Sequence, residues 1–345
     1  MGVLAFPALA QTTPTPEPGA AREIAFTAVK VGETQTDIYL LNVDTGEMRN
    51  LTNSPETENG LAWSPDGMWL AYTAQLQESN SNGLYILNMK SGEKRVIVKT
   101  AVRDIPPMWM PEGDQIIYLT SEGEKSALNI INTDATQPRQ LLLEDEIGTI
   151  DLSFDGTQLV LQMGGGLGVF NLTNETLQPL IQIPEDERLY NDASWPKWSP
   201  DGQQIAYLYL ESMYGPYEIY LINGDGSNNH RFVKEDYGTT KPVWWPDGSK
   251  IMYVAEICGV QCFGHNAIYI RGVNGGQLTI LGSDVSFPSV SPDGSKIVYH
   301  DFSASHNLAV MNADGTHARL LTNGIFEKFD DMFWDFAWRP VPAGE

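Results

Sequence analysis

Apolar residues occur along the chain in short runs separated by turns rich in Pro, Asp, Asn and Gly. Such short, bounded runs are typical of β-strands. One phrase stands out: Trp198-Ser199-Pro200-Asp201-Gly202, followed by the apolar run Ile205-Ala206-Tyr207. Pro sets φ at the first corner of a tight turn, Asp hydrogen-bonds its own backbone, and Gly takes a positive φ. The phrase therefore predicts an antiparallel hairpin between the strand that contains the Trp and the apolar strand that follows.

The hairpin phrase recurs along almost the whole chain. Its glycines stand at positions 67, 113, 156, 202, 248 and 294, at intervals of 43 to 46 residues. The copy at Asp155-Gly156 lacks both the Trp and the Pro, and the last copy, Trp338-Arg339-Pro340, stops before the Asp-Gly. Two further short strands are expected in each period. Four short strands in a period of about 45 residues indicate a propeller blade, and seven such units fit the chain.

The two ends of the chain predict how the ring closes. The first unit starts at Glu23 without a hairpin phrase, whereas the C-terminus supplies an extra partial copy at residues 336–340. We therefore predict an all-β fold, a seven-bladed β-propeller of four-stranded blades. Its C-terminal strand joins the first blade as the innermost strand, which leaves no exposed sheet edge.

The repeated phrase, with its Leu321-Thr322 type of ending, resembles the PD40 or WD40-like repeat of the TolB-type β-propellers. The resemblance covers roughly residues 22 to 340. It implies the fold more strongly than a function, because similar repeats occur in the tricorn protease and in the non-catalytic half of prolyl-oligopeptidase-like peptidases. TolB is understood as a six-bladed ring with an extra N-terminal α/β domain in the Tol-Pal envelope complex. Seven units are predicted here, so only the propeller resemblance is carried over.

The N-terminal residues predict an exported protein. Residues 1–10 are apolar and end in Ala8-Leu9-Ala10, which resembles the end of a secretory signal peptide. A disordered N-terminus is the alternative. Residues 11–21 are rich in Pro and Thr and are expected to form an extended linker, and residues 22–345 a single propeller domain. No run of 18 apolar residues occurs, so we expect no direct membrane insertion and a periplasmic or extracellular location.

The two cysteines, Cys258 and Cys262, are four residues apart in a predicted loop. A disulfide that closes this loop fits an exported protein. Two free thiols, or half of a zinc site with His265, are the alternatives. His300 and His306 flank another loop, but a metal site there would need a third ligand from elsewhere. We therefore predict neither a metal site nor a cofactor.

Charge narrows the class of partner. Lys and Arg number 21 against 44 Asp and Glu, for a net charge of -23, which argues against nucleic acid and anionic membrane surfaces. The loops that enter the innermost strands, which lie on one face of a propeller, are rich in acidic residues. They contain Glu56, Glu58, Arg103, Asp104, Asp145, Glu146, Glu185 to Arg188, Glu235, Asp236, Asp284, Asp330 and Asp331. This placement predicts an acidic funnel for a basic peptide, a cationic ligand or a metal ion, with ordinary polar loops as the alternative.

Two of these loops, residues 188–195 and 326–334, combine charge with aromatic rings. Tyr, Trp and Arg are the side chains that most often anchor interfaces. Packing of a long loop over its own blade is the alternative. The predicted partner-binding residues are Arg103, Asp104, Glu187, Arg188, Tyr190, Asp192, Tyr237, Asp330, Asp331 and Trp334.

Catalytic motifs point away from a hydrolase. The chain contains neither Gly-x-Ser-x-Gly nor His-Glu-x-x-His, and the glycine run at residues 164–168 predicts a tight turn better than a phosphate-binding loop. We therefore predict a non-catalytic binding or scaffolding module of the bacterial cell envelope, with a protein or peptide as its partner. The alternatives are an enzyme of lyase or hydrolase type with its site in the channel, and the sensor ectodomain of a longer membrane protein.

Overall fold

The computed structural model describes residues 22–76, 81–144, 146–188, 191–234, 238–256, 266–303, 307–329 and 336–340. Its regular elements are β-strands and one short 3-10 helix at Glu185–Glu187. In chain order the strands are β1 (Glu23–Lys30), β2 (Asp37–Asn42), β3 (Met48–Asn50), β4 (Glu58–Trp63), β5 (Trp69–Gln75), β6 (Asn82–Asn88), β7 (Lys94–Val102), β8 (Met108–Trp109), β9 (Gln115–Glu122), β10 (Lys125–Asn132), β11 (Arg139–Glu144), β12 (Ile147–Leu152), β13 (Gln158–Met163), β14 (Gly166–Asn171), β15 (Thr176–Ile181), β16 (Asp192–Trp198), β17 (Gln204–Leu210), β18 (Tyr217–Asn223), β19 (His230–Arg231), β20 (Val243–Trp244), β21 (Lys250–Glu256), β22 (Asn266–Gly272), β23 (Thr279–Leu281), β24 (Val285–Val290), β25 (Lys296–Asp301), β26 (Asn307–Asn312), β27 (Arg319–Leu320), β28 (Phe326–Phe329) and β29 (Ala337–Trp338).

The strands form antiparallel sheets in which neighbours in the chain are neighbours in the sheet. Four sheets have four strands each: β12 to β15, β16 to β19, β20 to β23, and β24 to β27. Strands β4 to β11 form an eight-stranded sheet whose halves join at the single pair Val102 and Thr120. Strands β1 to β3 form the remaining sheet, in which β28 and β29 both pair with β1. The structure is therefore all-β and built from repeated four-stranded units.

The predicted hairpins are confirmed at the turns between the first two strands of the sheets. In the copy before β17, the Ser199 hydroxyl donates to Asp201 Oδ1 at 2.6 Å and accepts the amide N–H of Gln204 at 2.9 Å. Gly202 has φ +68°, which a side-chain-bearing residue rarely adopts. Across the turn Trp198 pairs with Ile205. The glycine run gives the expected tight turn, because Met163 pairs with Gly166 around Gly164 and Gly165, both with positive φ.

Because antiparallel strands alternate in direction, the connections fall into two sets at opposite strand ends. One set holds the hairpin turns and the Asn turns, and we call it the turn face. The other set enters the first and third strands, and we call it the mouth face. The turn face comprises residues 43–47, 64–68, 89–93, 110–114, 133–138, 153–157, 172–175, 199–203, 224–229, 245–249, 273–278, 291–295 and 313–318. The mouth face comprises residues 31–36, 51–57, 76, 81, 103–107, 123–124, 146, 164–165, 182–188, 191, 211–216, 232–234, 238–242, 282–284, 302–303 and 321–325.

At three junctions, an indole N–H group links one four-stranded unit to the unit before it. Trp109 Nε1 donates to the carbonyl of Ala62 at 3.0 Å, and Trp244 Nε1 to that of Lys197 at 3.0 Å. Trp63 Nε1 donates in the same way to Ala337, at 2.8 Å. Apolar layers fill the spaces between successive sheets, and one layer joins the first sheet, through Tyr39, to the sheet of Leu308. The last sheet thus packs against the first.

Candidate functional site

The predicted partner-binding residues that the structure describes all lie at the mouth face or at the adjoining strand end. Arg103 and Asp104 follow β7, Glu187 ends the 3-10 helix, Arg188 follows it, and Asp192 begins β16. The other predicted positions lie outside the described residues. These are Tyr190, Tyr237, Asp330, Asp331 and Trp334, together with the predicted disulfide pair Cys258 and Cys262.

Arg103 and Asp104 connect neighbouring sheet units. Asp104 accepts hydrogen bonds from Asn59 Nδ2 at 3.0 Å and from the Thr73 hydroxyl at 2.9 Å. Arg103 Nη1 donates to the Ser126 hydroxyl at 3.1 Å and to the carbonyl of Ile147. Burial lowers the pKa of Arg103, an effect that Glu146 opposes. These two side chains therefore hold adjacent units of the mouth together.

Arg188 packs over the β13–β14 hairpin, the turn formed by Gly164 and Gly165. A methyl group placed on Gly164 would lie 2.6 Å from Arg188 Nη2. The absence of a side chain at this glycine therefore lets the guanidinium approach the turn closely. Near it, Glu187 accepts a hydrogen bond from Asn191 Nδ2 at 3.2 Å.

A group of tyrosines and carboxylates lies at the mouth end of strands β16 to β18. We call Glu187, Asp192, Tyr209, Glu211, Tyr217 and Tyr220 the tyrosine–carboxylate patch. The Tyr217 hydroxyl donates to Asp192 Oδ2 at 3.3 Å, and Gln162 Nε2 reaches Asp192 Oδ1 at 3.4 Å. The Tyr220 hydroxyl donates to Glu211. The rings of Tyr209 and Tyr220 meet edge to face with centroids 5.2 Å apart, a favoured aromatic geometry.

The carboxylates make this patch electrostatically negative. Burial raises the pKa of Tyr209, and the charges of Glu211 and Glu187 raise it further. Burial also raises the pKa of Tyr217, and Asp192 adds to the effect. A phenol whose ionisation is opposed in this way stays a neutral hydrogen-bond donor at physiological pH. The patch therefore attracts cations while its rings remain uncharged.

The tyrosines of this patch and the connection beside it were not predicted from the sequence. Between β17 and β18, Tyr214 is 93% exposed and Met213 is 50% exposed. The signal was the density of tyrosines between residues 207 and 220. Because strands alternate in direction, the connection between the second and third strands lies on the same face as the loops that enter the innermost strand. The predicted acidic funnel included only the loops that enter the innermost strands, and the second-to-third-strand connections belong to the same surface.

A buried carboxyl pair lies at the mouth end of β2 and β4. Glu58 is fully buried and accepts hydrogen bonds from the Ser54 hydroxyl and from Thr52 Oγ1, the latter at 3.2 Å. Thr52 Oγ1 also lies 3.3 Å from Asp37 Oδ1 and accepts the N–H of Ile38 at 3.0 Å. A hydroxyl has one hydrogen, so Thr52 donates to only one of the two carboxyl groups at a time.

Burial raises the pKa of Glu58 to about 7, and the nearby Asp37 raises it while Ser54, Lys94 and Thr52 lower it. Thr322 repeats the Thr52 arrangement, since its hydroxyl accepts the N–H of Leu308 at 2.9 Å and lies 3.2 Å from Asn307 Oδ1. The Leu-Thr ending is thus a structural device of the fold, and Glu58 adds a titratable group to one copy of it.

The part of the chain that the structure describes contains neither a candidate metal site nor a candidate membrane-spanning helix. In those ranges no three His, Cys, Asp or Glu side chains come together as a set that could hold a metal ion. His300 is buried, with its ring centroid 4.2 Å from that of Phe302, whereas His306 lies outside the described residues. Across the same ranges, no helix has the length and apolar character needed to span a membrane.

Repeated four-stranded sheets, packed in sequence with the last against the first, define the chain as a protein of the β-propeller class. The chain matches the family described as the TolB beta propeller domain over residues 10–188 and 187–330. It therefore belongs to that family, as the resemblance of the repeats indicated.

Individual relatives are more distant. The Tol-Pal system protein TolB of Blochmanniella pennsylvanica is 34% identical over 86 residues, which are 25% of this chain and only 17% of that protein. An oligogalacturonate lyase in complex with manganese has a TM-score of 0.66 at 16% identity, with 86% of this chain and 84% of that chain covered. A puromycin-hydrolyzing peptidase from Mycobacterium tuberculosis has a TM-score of 0.66 at 13% identity, with 92% and 57% covered. Identities this low show a common fold alone.

Proposed function

We propose that the protein is a non-catalytic binding or scaffolding module of the bacterial cell envelope that presents its mouth face to a protein or peptide partner. The observation that carries this proposal is the tyrosine–carboxylate patch beside the exposed Tyr214. Tyrosine is enriched in binding hot spots because it offers a large apolar ring and a polar tip. The family relationship to a Tol-Pal system protein supports a role in the envelope.

The partner contributes a basic side chain. Carboxylates beside tyrosine rings bind a lysine or arginine both by charge and through the face of the ring. The net charge of -23 adds a long-range field that favours association with cations. Arg103, Asp104 and Arg188 support the surrounding mouth. Tyr190, Tyr237, Asp330, Asp331 and Trp334 belong to the proposed surface on sequence grounds.

We propose in addition that the sheets form a closed, seven-bladed ring, which holds the mouth face rigid. Two observations support this closure. Strand β29 pairs with β1, and the carbonyl of Ala337 in β29 accepts the Trp63 indole N–H just as the carbonyl of Ala62 in β4 accepts that of Trp109. Arg339 strengthens this junction, donating from Nη1 to Glu23 Oε2 at 2.6 Å and from Nε to the carbonyl of Gly67 at 2.9 Å. The eight-stranded sheet then counts as two blades. Export, the linker at 11–21 and the Cys258–Cys262 disulfide remain predictions of the sequence.

The test is capture of partners from a cell-envelope extract by the immobilised protein, followed by affinity measurement with the purified partner. We expect Tyr214→Ala with Glu211→Gln to weaken binding at least tenfold, because both an exposed ring and a carboxylate are lost. Phe154→Ala is the matched control, since Phe154 is 71% exposed on the turn face. The affinity should also fall as the salt concentration rises. Equal retention of the partner by both variants would show that binding does not use this patch.

A further inference from the structure

The turn face contains a cleft between the sheet of β12 to β15 and the sheet of β16 to β19. Its volume is about 550 Å³, within the range of pockets that bind small molecules. It lies between the Asn turn after β14 and the two turns at residues 199–203 and 224–229. The cleft is on the opposite face from the tyrosine–carboxylate patch, so a ligand bound there would not contact the proposed partner-binding surface.

The cleft opens where the repeat departs from its own pattern. At three other junctions, the proline of one hairpin turn lies against the glycine of the next, whereas the Trp245 indole lies against Gly294 and the Pro340 carbonyl against Gly67. A methyl group placed on the glycine would be 3.8 Å from Pro65 at Gly113, 2.6 Å from Pro111 at Gly156, and 3.7 Å from Pro200 at Gly248.

The turn before Gly202 carries Phe154 in place of proline. Phe154 is 71% exposed, and a methyl group on Gly202 would meet nothing within 4 Å. The degenerate copy of the hairpin phrase therefore leaves an open space over Gly202.

Carboxamide side chains dominate the lining, with six of them around one cleft: Gln158, Asn171, Asn174, Gln178, Gln203 and Asn223. Local hydrogen bonds fix the orientation of two. Asn171 Oδ1 accepts the N–H groups of Thr173 and Asn174 at 2.9 and 3.1 Å. Asn174 Oδ1 accepts the N–H and the hydroxyl of Thr176 at 3.2 and 2.6 Å. Because the carbonyl oxygens are engaged by the turn, the amide NH₂ groups are left as donors.

Both sides of the cleft supply acceptors. Gln178 Nε2 donates across the junction to the carbonyl of Asp225 at 3.2 Å, which leaves Gln178 Oε1 as an acceptor. Asp225 Oδ1 accepts the N–H and the hydroxyl of Ser227 at 2.9 and 2.6 Å, and these bonds lower the pKa of Asp225. Its second oxygen remains a charged acceptor.

This donor and acceptor set defines the class of ligand. All lining residues lie within the described ranges, and among them none is Lys or Arg, while Asp225 supplies a negative charge. Such a site disfavours an anion. It matches a ligand with many neutral groups that both donate and accept hydrogen bonds, which is the chemistry of sugar hydroxyls. We infer that the cleft over Gly202 binds a short, uncharged oligosaccharide.

Isothermal titration with cellotetraose, maltotetraose and chitotetraose tests this inference on the whole protein. Tetragalacturonate and tetra-alanine serve as the anionic and peptide comparators. We expect at least one neutral tetrasaccharide to bind, and Gln158→Ala with Gln203→Ala to weaken that binding at least tenfold. Neither glutamine side chain donates to or accepts from another group in the described part of the chain, so this variant should fold normally. Gln140→Ala with Gln277→Ala, at exposed positions away from the cleft, should leave the affinity unchanged.

A second variant, Phe154→Pro, restores the repeat and should close the space over Gly202. We expect it to weaken the same binding at least tenfold while the unfolding midpoint stays equal or rises, because proline at a compatible turn position restricts the unfolded chain. Three results would overturn the inference: no neutral tetrasaccharide binding up to about 10 mM, tighter binding of either comparator, or an affinity that neither cleft variant changes.

Discussion

Carboxyl groups at the two faces of the molecule have opposite electrostatic settings. On the turn face, burial alone would raise the pKa of Asp155, but hydrogen bonds from Ser153 and Thr157 lower it below its usual value. On the mouth side, burial raises the pKa of Glu58 to about 7 despite hydrogen bonds from Ser54 and Thr52. The hydrogen bonds of the repeated turn thus stabilise the ionised form of the carboxyl group, whereas enclosure between sheets destabilises the ionised form.

The difference shows where the fold allows variation. Four hairpin turns share the same bond from a Ser hydroxyl to the Asp two residues later, and these repeated turns define the architecture. Each mouth connection instead uses its own partners, as Asp104 and Asp192 show. Side-chain arrangements that are not repeated occur at the mouth face. On the turn face, one occurs at Phe154, which replaces the proline of the hairpin phrase.

The largest effect should come from removing the strand that joins the two ends. Deletion of residues 336–345 removes β29, the acceptor for Trp63 and the Arg339 ion pair, and leaves Ile24 and Ala25 of β1 without the strand that pairs with them. We expect a loss on the order of 5 kcal/mol or more, comparable with the total stability of a domain. Urea unfolding followed by tryptophan fluorescence measures it.

Deletion of residues 1–19 is the control for that truncation, because the sequence predicts the remnant of a signal peptide at residues 1–10 and an extended linker at residues 11–21. We expect little change in the unfolding midpoint. A C-terminal truncation that unfolds at the same urea concentration as the full chain would refute the closure of the ring by β29.

A smaller effect is expected at the buried mouth carboxyl. The folded-state pKa of Glu58 exceeds its unfolded value, so the folded protein binds more protons between pH 4.5 and about 7. Stability should therefore be greatest below that window and fall through it, by about 3 kcal/mol from this group. Glu58→Gln should remove that part of the decline, as measured by urea unfolding at pH 5 and pH 8.

The exposed Glu122 provides the matched substitution for this pH series. Glu122→Gln should keep the wild-type difference in stability between pH 5 and pH 8. If Glu58→Gln also keeps it, the carboxyl is ionised in the folded state at low pH, and the proposed contrast between the faces is wrong.

The smallest effect compares two buried tryptophans in equivalent hairpin phrases. Trp109 Nε1 bonds the carbonyl of Ala62, whereas Trp198 Nε1 is buried with no partner among the described residues. Trp109→Phe should therefore cost about 1 kcal/mol more than Trp198→Phe, the usual net contribution of one hydrogen bond. Chemical denaturation of both variants measures the difference. Equal losses would mean that the indole bonds between sheets contribute nothing to stability.

The turn face could be predicted from the sequence almost completely. Pro200, Asp201 and Gly202 each act through their own backbone or that of near neighbours, so local physics determines the hairpin. The turn after Asn223 is equally local, because the N–H of Asn223 donates to the carbonyl of Ser227 at 2.9 Å.

The mouth could be predicted only as a region. That Asp104 would bond Asn59 and Thr73, 45 and 31 residues away, depends on how successive sheets pack, which no local pattern encodes. Glu58 was read as an acidic loop residue but is fully buried. The cleft over Gly202 forms because Phe154 replaces the proline of the hairpin phrase. The repeat pattern shows this substitution, but it does not show the size or the lining of the space that results.

The pairing of β29 with β1 has a consequence for how the protein is made. Arg339 meets Glu23 across 316 positions of the chain, so the first sheet lacks this partner until β29 has been synthesised. During that interval the edge of β1 is open to pairing with other chains. The synthesis of β29 therefore ends the period in which this edge of the nascent protein is open to aggregation.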